Sequence, residues 1–254
     1  MQDTEDPSFL RREVEQCQKL LTLWSEQEGI PRTSLDRVYE GLSEAGKHQD
    51  QLRYGTYLFP GLDMDPWPTV ELPFLDEVSG AFYEIGDEYR ACLAGGTIGR
   101  HPEALQLASR GLWSTYPIFY MGALVANRAD ACPRTVEALR RIPDIDFAGT
   151  ANFSRLSPGT CVKPHCGFMN GRLRCHLGLD IPPGSSIRVG GEWRNWREGD
   201  WLVFDDSCEH EVSIPSGERY RAVLLLDVWH PGLSAVERRA LRLLLKIWRH
   251  RVLD

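Results

Sequence analysis

"KPHCGFMNGRLRCHLGLDIP", from Lys163 to Pro182, carries two of the chain's 7 histidines beside two arginines, in a segment that otherwise reads as a buried strand. Side chains alternate between the two faces of a strand. In "RLRCHLGL" that alternation puts Arg172, Arg174, His176 and Gly178 on one face, and Leu173, Cys175, Leu177 and Leu179 on the other. The apolar face is suited to packing on a neighbouring layer. The opposite face, if enclosed in a barrel, needs an anionic partner, because unpaired buried charge is costly. A small dicarboxylate would supply one, since a guanidinium grips a carboxylate with two parallel hydrogen bonds. A solvent-facing sheet edge would need no partner, and this strand alone does not separate the two readings.

Working outward, the same pattern continues from about Asp146. Short apolar runs alternate with Gly and Pro turns: "FAGTANFSRL", "SIRVGGEWRNW", "DWLVFDDS", "HEVSI" and "YRAVLLLDVWH". Several short strands at such spacing predict a jelly-roll or barrel. Upstream the pattern is helical. Residues 7–28 place Leu10, Val14, Cys17, Leu21 and Trp24 on one face, and Pro31 closes the segment. Ser34 offers an N-cap to a short helix carrying Leu35, Val38, Tyr39 and Leu42, ended by Gly46. Residues 47–70 read as extended and wrapped. A third helix is predicted over about 73–94, with Phe74, Val78, Phe82, Ile85, Tyr89 and Leu93 in one stripe and Gly95-Gly96 at its end. Another follows Pro133, with Val136 and Leu139 inward. At the C-terminal end Ser234 and Glu237 form an S-x-x-E capping box for a helix bearing Val236, Ala240, Leu243, Leu244 and Ile247.

The expected architecture is therefore α+β, within one catalytic domain over 1–254. A helical lead (1–145) packs on a double-stranded β-helix core of jelly-roll or cupin type (146–231), and a C-terminal helix (232–254) closes it. With 254 residues the chain can bury a core without staples. A net charge of −7 argues against general binding to nucleic acid or an anionic membrane. Arg238, Arg239, Arg242, Lys246 and Arg249 on the last helix read as a solvated face. No apolar run reaches bilayer length, and the acidic start "MQDTEDPSFL" is unlike a secretory signal. Seven Cys without framework spacing fit reduced thiols, so a cytoplasmic location is expected.

His165 stands in a Pro- and Gly-containing turn before the quoted strand, and His210 follows "FDDSCEH" at the start of another. A barrel that brings the two together makes a site for an octahedral metal such as Fe(II). Arg221 adds a cation on a late strand. The pieces "SPGTCVKPHCG", "NGRLRCHLGLDIP", "W-x-x-G-D-W-L-V-F-D-D-S-x-x-H-E-V" and "R-A-V-L-L-L-D-V-W-H-P", all within 154–231, resemble the catalytic domain of the aspartyl/asparaginyl β-hydroxylase family of Fe(II)- and 2-oxoglutarate-dependent dioxygenases. "FPGL" and "CPRTVEAL" upstream share the likeness.

The resemblance implies His165 and His210 as iron ligands. It implies Arg221, with Ser154 beside it, as the grip on the distal carboxylate of 2-oxoglutarate, and Arg174 and His176 as further contacts to that cosubstrate. Arg172 and Asn152 match substrate-side positions, and Asp206 lies near the iron. Gly167 stands where an H-x-D pattern would put a third ligand, as in the resembled family, so water is expected there. The implied reaction consumes O2 and decarboxylates 2-oxoglutarate to succinate while hydroxylating an unactivated C–H bond. Asn152 replaces the Lys expected in protein-hydroxylating enzymes, which points to a small-molecule or amino-acid-derived substrate, peptide- or carrier-linked ones included. The sequence gives no oligomeric state.

Three rival readings compete with this one. Chloride at the open iron position would make a halogenase. Cys161, Cys166, Cys175 and Cys208 near the histidines raise structural zinc, but no C-x-x-C pair exists and Cys175 points to the apolar face. A barrel binding a carboxylate without chemistry would not need both histidines. "HEV" at His210 is no zinc-protease motif, because Ile214 replaces its second His, and "GGTIG" after a helix reads as a C-cap and loop.

Overall fold

In the computed structural model, residues 7–44, 57–120 and 122–252 are described. Twelve strands form two antiparallel sheets among them. The short strands β1 (Gly99–Arg100) and β2 (Ala108–Arg110) come first, then β3 (Trp113–Tyr120) and β4 (Ala123–Leu124). The core strands follow as β5 (Ala151–Leu156), β6 (Cys161–His165), β7 (Arg172–Asp180), β8 (Ser186–Val189) and β9 (Glu192–Asn195). The last three are β10 (Trp201–Phe204), β11 (His210–Ser213) and β12 (Arg221–Trp229). The larger sheet runs β1-β3-β5-β12-β7-β10 with β4 on β3, and the smaller runs β2-β6-β11-β8-β9. This is a double-stranded β-helix within an α+β chain, as the strand spacing predicts.

Alternation then sorts the side chains into layers. Leu173, Cys175, Leu177 and Leu179 of β7, with Ala222, Leu224, Leu226 and Val228 of β12, bury their face against a layer of helices. These helices are α3 (Phe74–Ser79), α4 (Phe82–Ala94) and α7 (Pro133–Leu139); α5 (Ala104–Leu107), α6 (Ala126–Ala129) and α8 (Ile145–Ala148) are single turns. Between the sheets lies a second core of Leu156, Val162, Ile187, Val189, Phe204, Val212, Val223 and Leu225. A third joins α1 (Pro7–Gln27), α2 (Asp36–Glu44) and α9 (Ala235–Val252) through Cys17, Leu21, Val38, Leu42, Ala240, Leu241 and Leu244. The capping box forms: Ser234 N–H donates to Glu237 Oε2 (2.8 Å) and Glu237 N–H to Ser234 Oγ (3.3 Å). Arg37 of α2 also donates to both Glu237 oxygens at 2.7 Å, so the cap ties two helices together.

Several expectations change. Strands β1 to β4 fall inside the segment read as a helical lead, and β3 pairs with β5 in the larger sheet. Pro117 and the short flanking strands hide β3 from a search for alternating runs. The helix predicted over 73–94 is two, because Ala81 (φ −106°, ψ 21°) leaves helical geometry. Ser34 lies within a 3₁₀ turn (Arg32–Leu35) and caps nothing. His165 ends β6 instead of standing in a turn. A β-bulge absorbs Pro164: β6 spends three residues from Val162 to His165 where β11 spends two from Val212 to His210. Gly46 and the side chains of Leu10, Ile247 and Arg249 lie outside the described residues. On α9, Arg238 and Arg239 reach Asp144 and Glu28 (3.5 and 2.5 Å).

Candidate active site

The inner face of the larger sheet assembles the site row by row. Antiparallel pairing sets Leu225 opposite Asn152 on one side and His176 on the other, Val223 opposite Ser154, and Asp227 opposite Arg174. Across the sandwich, β6 and β11 place His165 and His210 as direct partners with ring centroids 4.1 Å apart. Ser154, Arg174, His176, Leu225, His165 and His210 line one inner pocket of about 40 Å3, with Trp113, Phe204 and Arg221. An outer cavity of about 650 Å3 shares the histidine pair with it, and Asn152, Arg172, Arg174, Asp206 and Asp227 help to line that cavity.

Each histidine is oriented by its own backbone. His165 Nδ1–H donates to Lys163 O (2.8 Å) and His210 Nδ1–H to Cys208 O (2.9 Å). A carbonyl can only accept, so the proton sits on Nδ1 and Nε2 keeps its lone pair, the tautomer a metal requires. Burial lowers the basicity of both rings, which keeps them neutral.

Arg221 is 2% exposed, and its Nε and Nη1 find no hydrogen-bond partner. Its guanidinium lies 4.4 Å from the Trp196 ring centroid, and burial pulls its pKa down to about 9. Trp196 Nε1–H donates to His176 Nδ1 (3.2 Å). His176 therefore carries its proton on Nε2, and that buried N–H has no acceptor. Ser154 Oγ accepts from Trp113 Nε1 (3.3 Å). An enclosed cation and an orphaned N–H donor in one small pocket leave room for an acceptor-rich anion, and a carboxylate answers both.

A carboxylate cluster stands at the other side of the histidines. Arg174 Nη1 is 2.9 Å from Asp206 Oδ2, while its Nε–H donates to Asp227 Oδ1 (2.9 Å); Arg172 Nη1–H donates to Asp227 Oδ2 (3.3 Å). Burial opposes every charge here, but Arg174 and Arg172 outweigh it at Asp227, whose pKa is lowered. At Asp206 burial wins over Arg174 and the pKa is raised. The Arg174–Asp206 contact is close yet misaligned for a hydrogen bond, so Asp206 Oδ2 remains an orphaned buried acceptor. Gly167 explains how that carboxylate fits: a Cβ at 167 would sit 2.5 Å from Asp206 Cγ.

The structure thus brings together His165, His210, Ser154, Arg174, His176 and Arg221, with Arg172, Asp206 and Asn152 on the outer cavity. Asn152 is buried among Thr115, which donates to its Oδ1 (3.0 Å), and Thr150. Sequence reasoning missed Asp227, Trp113 and Trp196. A lone Asp inside "LLLDVWH" was the one available signal for Asp227, since a buried strand tolerates a carboxylate only with partners. Cys175 is buried on the helix side, and among the described residues no three His, Cys, Asp or Glu side chains converge on a metal position, so structural zinc is set aside. The two Nε2 lone pairs, the orphaned Asp206 acceptor and the unpaired Arg221 and His176 fit an iron bound by two histidines with a carboxylate cosubstrate beside it. No described helix is long and apolar enough to cross a membrane.

These features define a jelly-roll protein with a two-histidine pocket. Comparison with known proteins makes the assignment finer. A profile described as aspartyl/asparaginyl beta-hydroxylase matches residues 80–231, and the chain belongs to that family. Human aspartyl/asparaginyl beta-hydroxylase is 40% identical over 143 residues, which is 55% of this chain and 19% of that protein. Rat aspartate beta-hydroxylase domain-containing protein 2 is 33% identical over 224 residues, 82% of this chain and 65% of the relative. The chain thus spans less than two thirds of these relatives' lengths. Among solved structures, a Pseudomonas putida prolyl-4-hydroxylase aligns over 63% of this chain and 89% of its own, at 18% identity and a TM-score of 0.38.

Proposed function

We propose that this chain is an Fe(II)- and 2-oxoglutarate-dependent dioxygenase that hydroxylates an unactivated C–H bond of a small-molecule or amino-acid-derived substrate, peptide- or carrier-linked ones included. The observation that carries the reading is the unpaired Arg221 guanidinium, enclosed beside the His176 N–H and next to two histidines whose Nε2 atoms are free to ligate. His165 and His210 would hold the metal, and Asp206 would accept a hydrogen bond from a water beside Gly167. Bound Fe(II) supplies dioxygen activation and C–H oxidation, with 2-oxoglutarate as the two-electron co-reductant that leaves as succinate and CO2.

The protein's own contribution is orientation and exclusion of water. Arg221, His176, Ser154 and Arg174 would hold the cosubstrate, and Trp113 and Phe204 wall the pocket with apolar surface. The reaction demands no protein acid or base at the C–H bond. An outer cavity of about 650 Å3 suits a small molecule or a single presented residue, and the family's name supports an amino-acid-derived one. A chloride beside Gly167 would face the Asp206 carboxylate, which favours hydroxylation over halogenation.

Anaerobic titration with Fe(II) and 2-oxoglutarate tests the reading through the visible charge-transfer band of the chelate. A band that forms in the intact protein, followed by succinate release on admitting O2, is expected. No band in intact protein would sink the oxygenase reading and leave a carboxylate-binding barrel.

A further inference from the structure

Trp113 borders both cavities, whereas His101 borders only the outer one. Their rings stack nearly parallel, 5° apart with centroids at 3.7 Å. The sheet puts them together. β1 pairs Gly99 with Thr115 and Arg100 with Ser114, and one step further His101 N–H donates to Trp113 O (2.9 Å). Residues directly opposite on an antiparallel pair project side by side from one face. The following turn orients the imidazole as well: Glu103 N–H donates to His101 Nδ1 (3.2 Å), which leaves the ring proton on Nε2. Burial, reinforced by Arg174 and His165, lowers the pKa of His101 to about 4, so near neutral pH the ring is uncharged.

The Trp113 indole N–H in turn donates to Ser154 Oγ (3.3 Å). Ser154 is 3% exposed and lines the inner pocket with Arg221. With one of its lone pairs taken by the indole, the Ser154 O–H is left for an anion in that pocket. An indole turns about two side-chain torsions, and its donor direction moves with it. Trp113 packs on the core between the sheets yet is only half-buried there, so the imidazole supplies the second face that holds the ring.

We infer that His101 is a positioning residue for 2-oxoglutarate: its ring clamps Trp113 in the rotamer that donates to Ser154, and so aims the Ser154 hydroxyl into the inner pocket. It acts through Trp113 and Ser154 and not by contact with the cosubstrate. The inference deepens the oxygenase reading and rests on it.

The test titrates Fe(II)-loaded, anaerobic protein with 2-oxoglutarate and reads the visible band. His101→Ala is expected to weaken 2-oxoglutarate binding roughly three- to tenfold, the worth of one neutral hydrogen bond, with iron content unchanged. His101→Phe keeps a flat ring against the indole and should stay within about twofold of wild type. Ser154→Ala removes the acceptor, and adding His101→Ala to it should cost less than about twofold more, because both act through one bond. A general loosening of the fold predicts additive losses and less bound iron instead.

If His101→Ala fails to fold, His101→Gln takes its place in both comparisons. Unchanged affinity in the Ala or Gln variant overturns the inference. So does a Phe variant as weak as Ala, or an additive double variant. Absence of the band in wild type is a separate result that overturns the oxygenase reading and the inference with it.

Discussion

His165 and His210 are direct cross-strand partners, and each turns Nδ1 to the carbonyl two residues before it, at 2.8 and 2.9 Å. The local backbone of each strand therefore chooses the tautomer, and the sheet register supplies the pairing. Replacing either ring by Ala should abolish the Fe(II)/2-oxoglutarate band. Metal content after loading checks it, and a variant that keeps stoichiometric iron would remove that histidine from the ligand set.

Arg221 makes a stability-for-function exchange testable. Its buried, unpaired charge is disfavoured in the folded state, and that penalty persists until pH rises through about 9. Arg221→Met should therefore melt higher than wild type in the metal-free state near neutral pH. The same variant should lose roughly 2–5 kcal/mol of 2-oxoglutarate binding, as when one partner of a buried, hydrogen-bonded charge pair is truncated. Unchanged cosubstrate affinity would show that the carboxylate grip lies elsewhere.

Gly167 is tightly constrained by its neighbour. An Asp there, which would restore the H-x-D pattern, puts its Cβ 2.5 Å from Asp206 Cγ. Gly167→Ala is expected to cost about 1–3 kcal/mol in denaturant melts, the usual penalty of overpacking. Adding Asp206→Gly should recover most of that loss. A double-mutant cycle that comes out additive would deny the contact.

Asp205 offers a pH signature beside the site. Its Oδ1 accepts from Ser207 N–H (2.9 Å), its Oδ2 has no partner, and burial pushes its pKa up to about 7. Between the unfolded value of 3.8 and about 7 the folded state holds more protons, so its contribution to stability falls as pH rises through that window. Asp205→Asn should thus melt above wild type at pH 8, with the gap narrowing toward pH 5. A gap that stays constant with pH would place the effect in packing instead.

What the chain reveals without its fold is whatever depends on neighbours in sequence. Two-residue alternation on β7 is such a property, which is why Arg172, Arg174 and His176 could be assigned to one face and Leu173, Cys175, Leu177 and Leu179 to the other. The capping box at Ser234 and Glu237 is another, and the ordered motifs around His165, His210 and Arg221 carried the family likeness. Asp227, Trp113 and Trp196 escaped because their meaning lies in partners 20 to more than 50 residues away: His176 for Trp196, Ser154 for Trp113, and Arg172 and Arg174 for Asp227. The bulge at Pro164, the entry of β3 into the larger sheet and the collision awaiting any side chain at Gly167 were likewise decided in three dimensions. Strand register is a long-range choice, made by which faces bury together, and it converts a list of polar residues into one pocket that needs an anion.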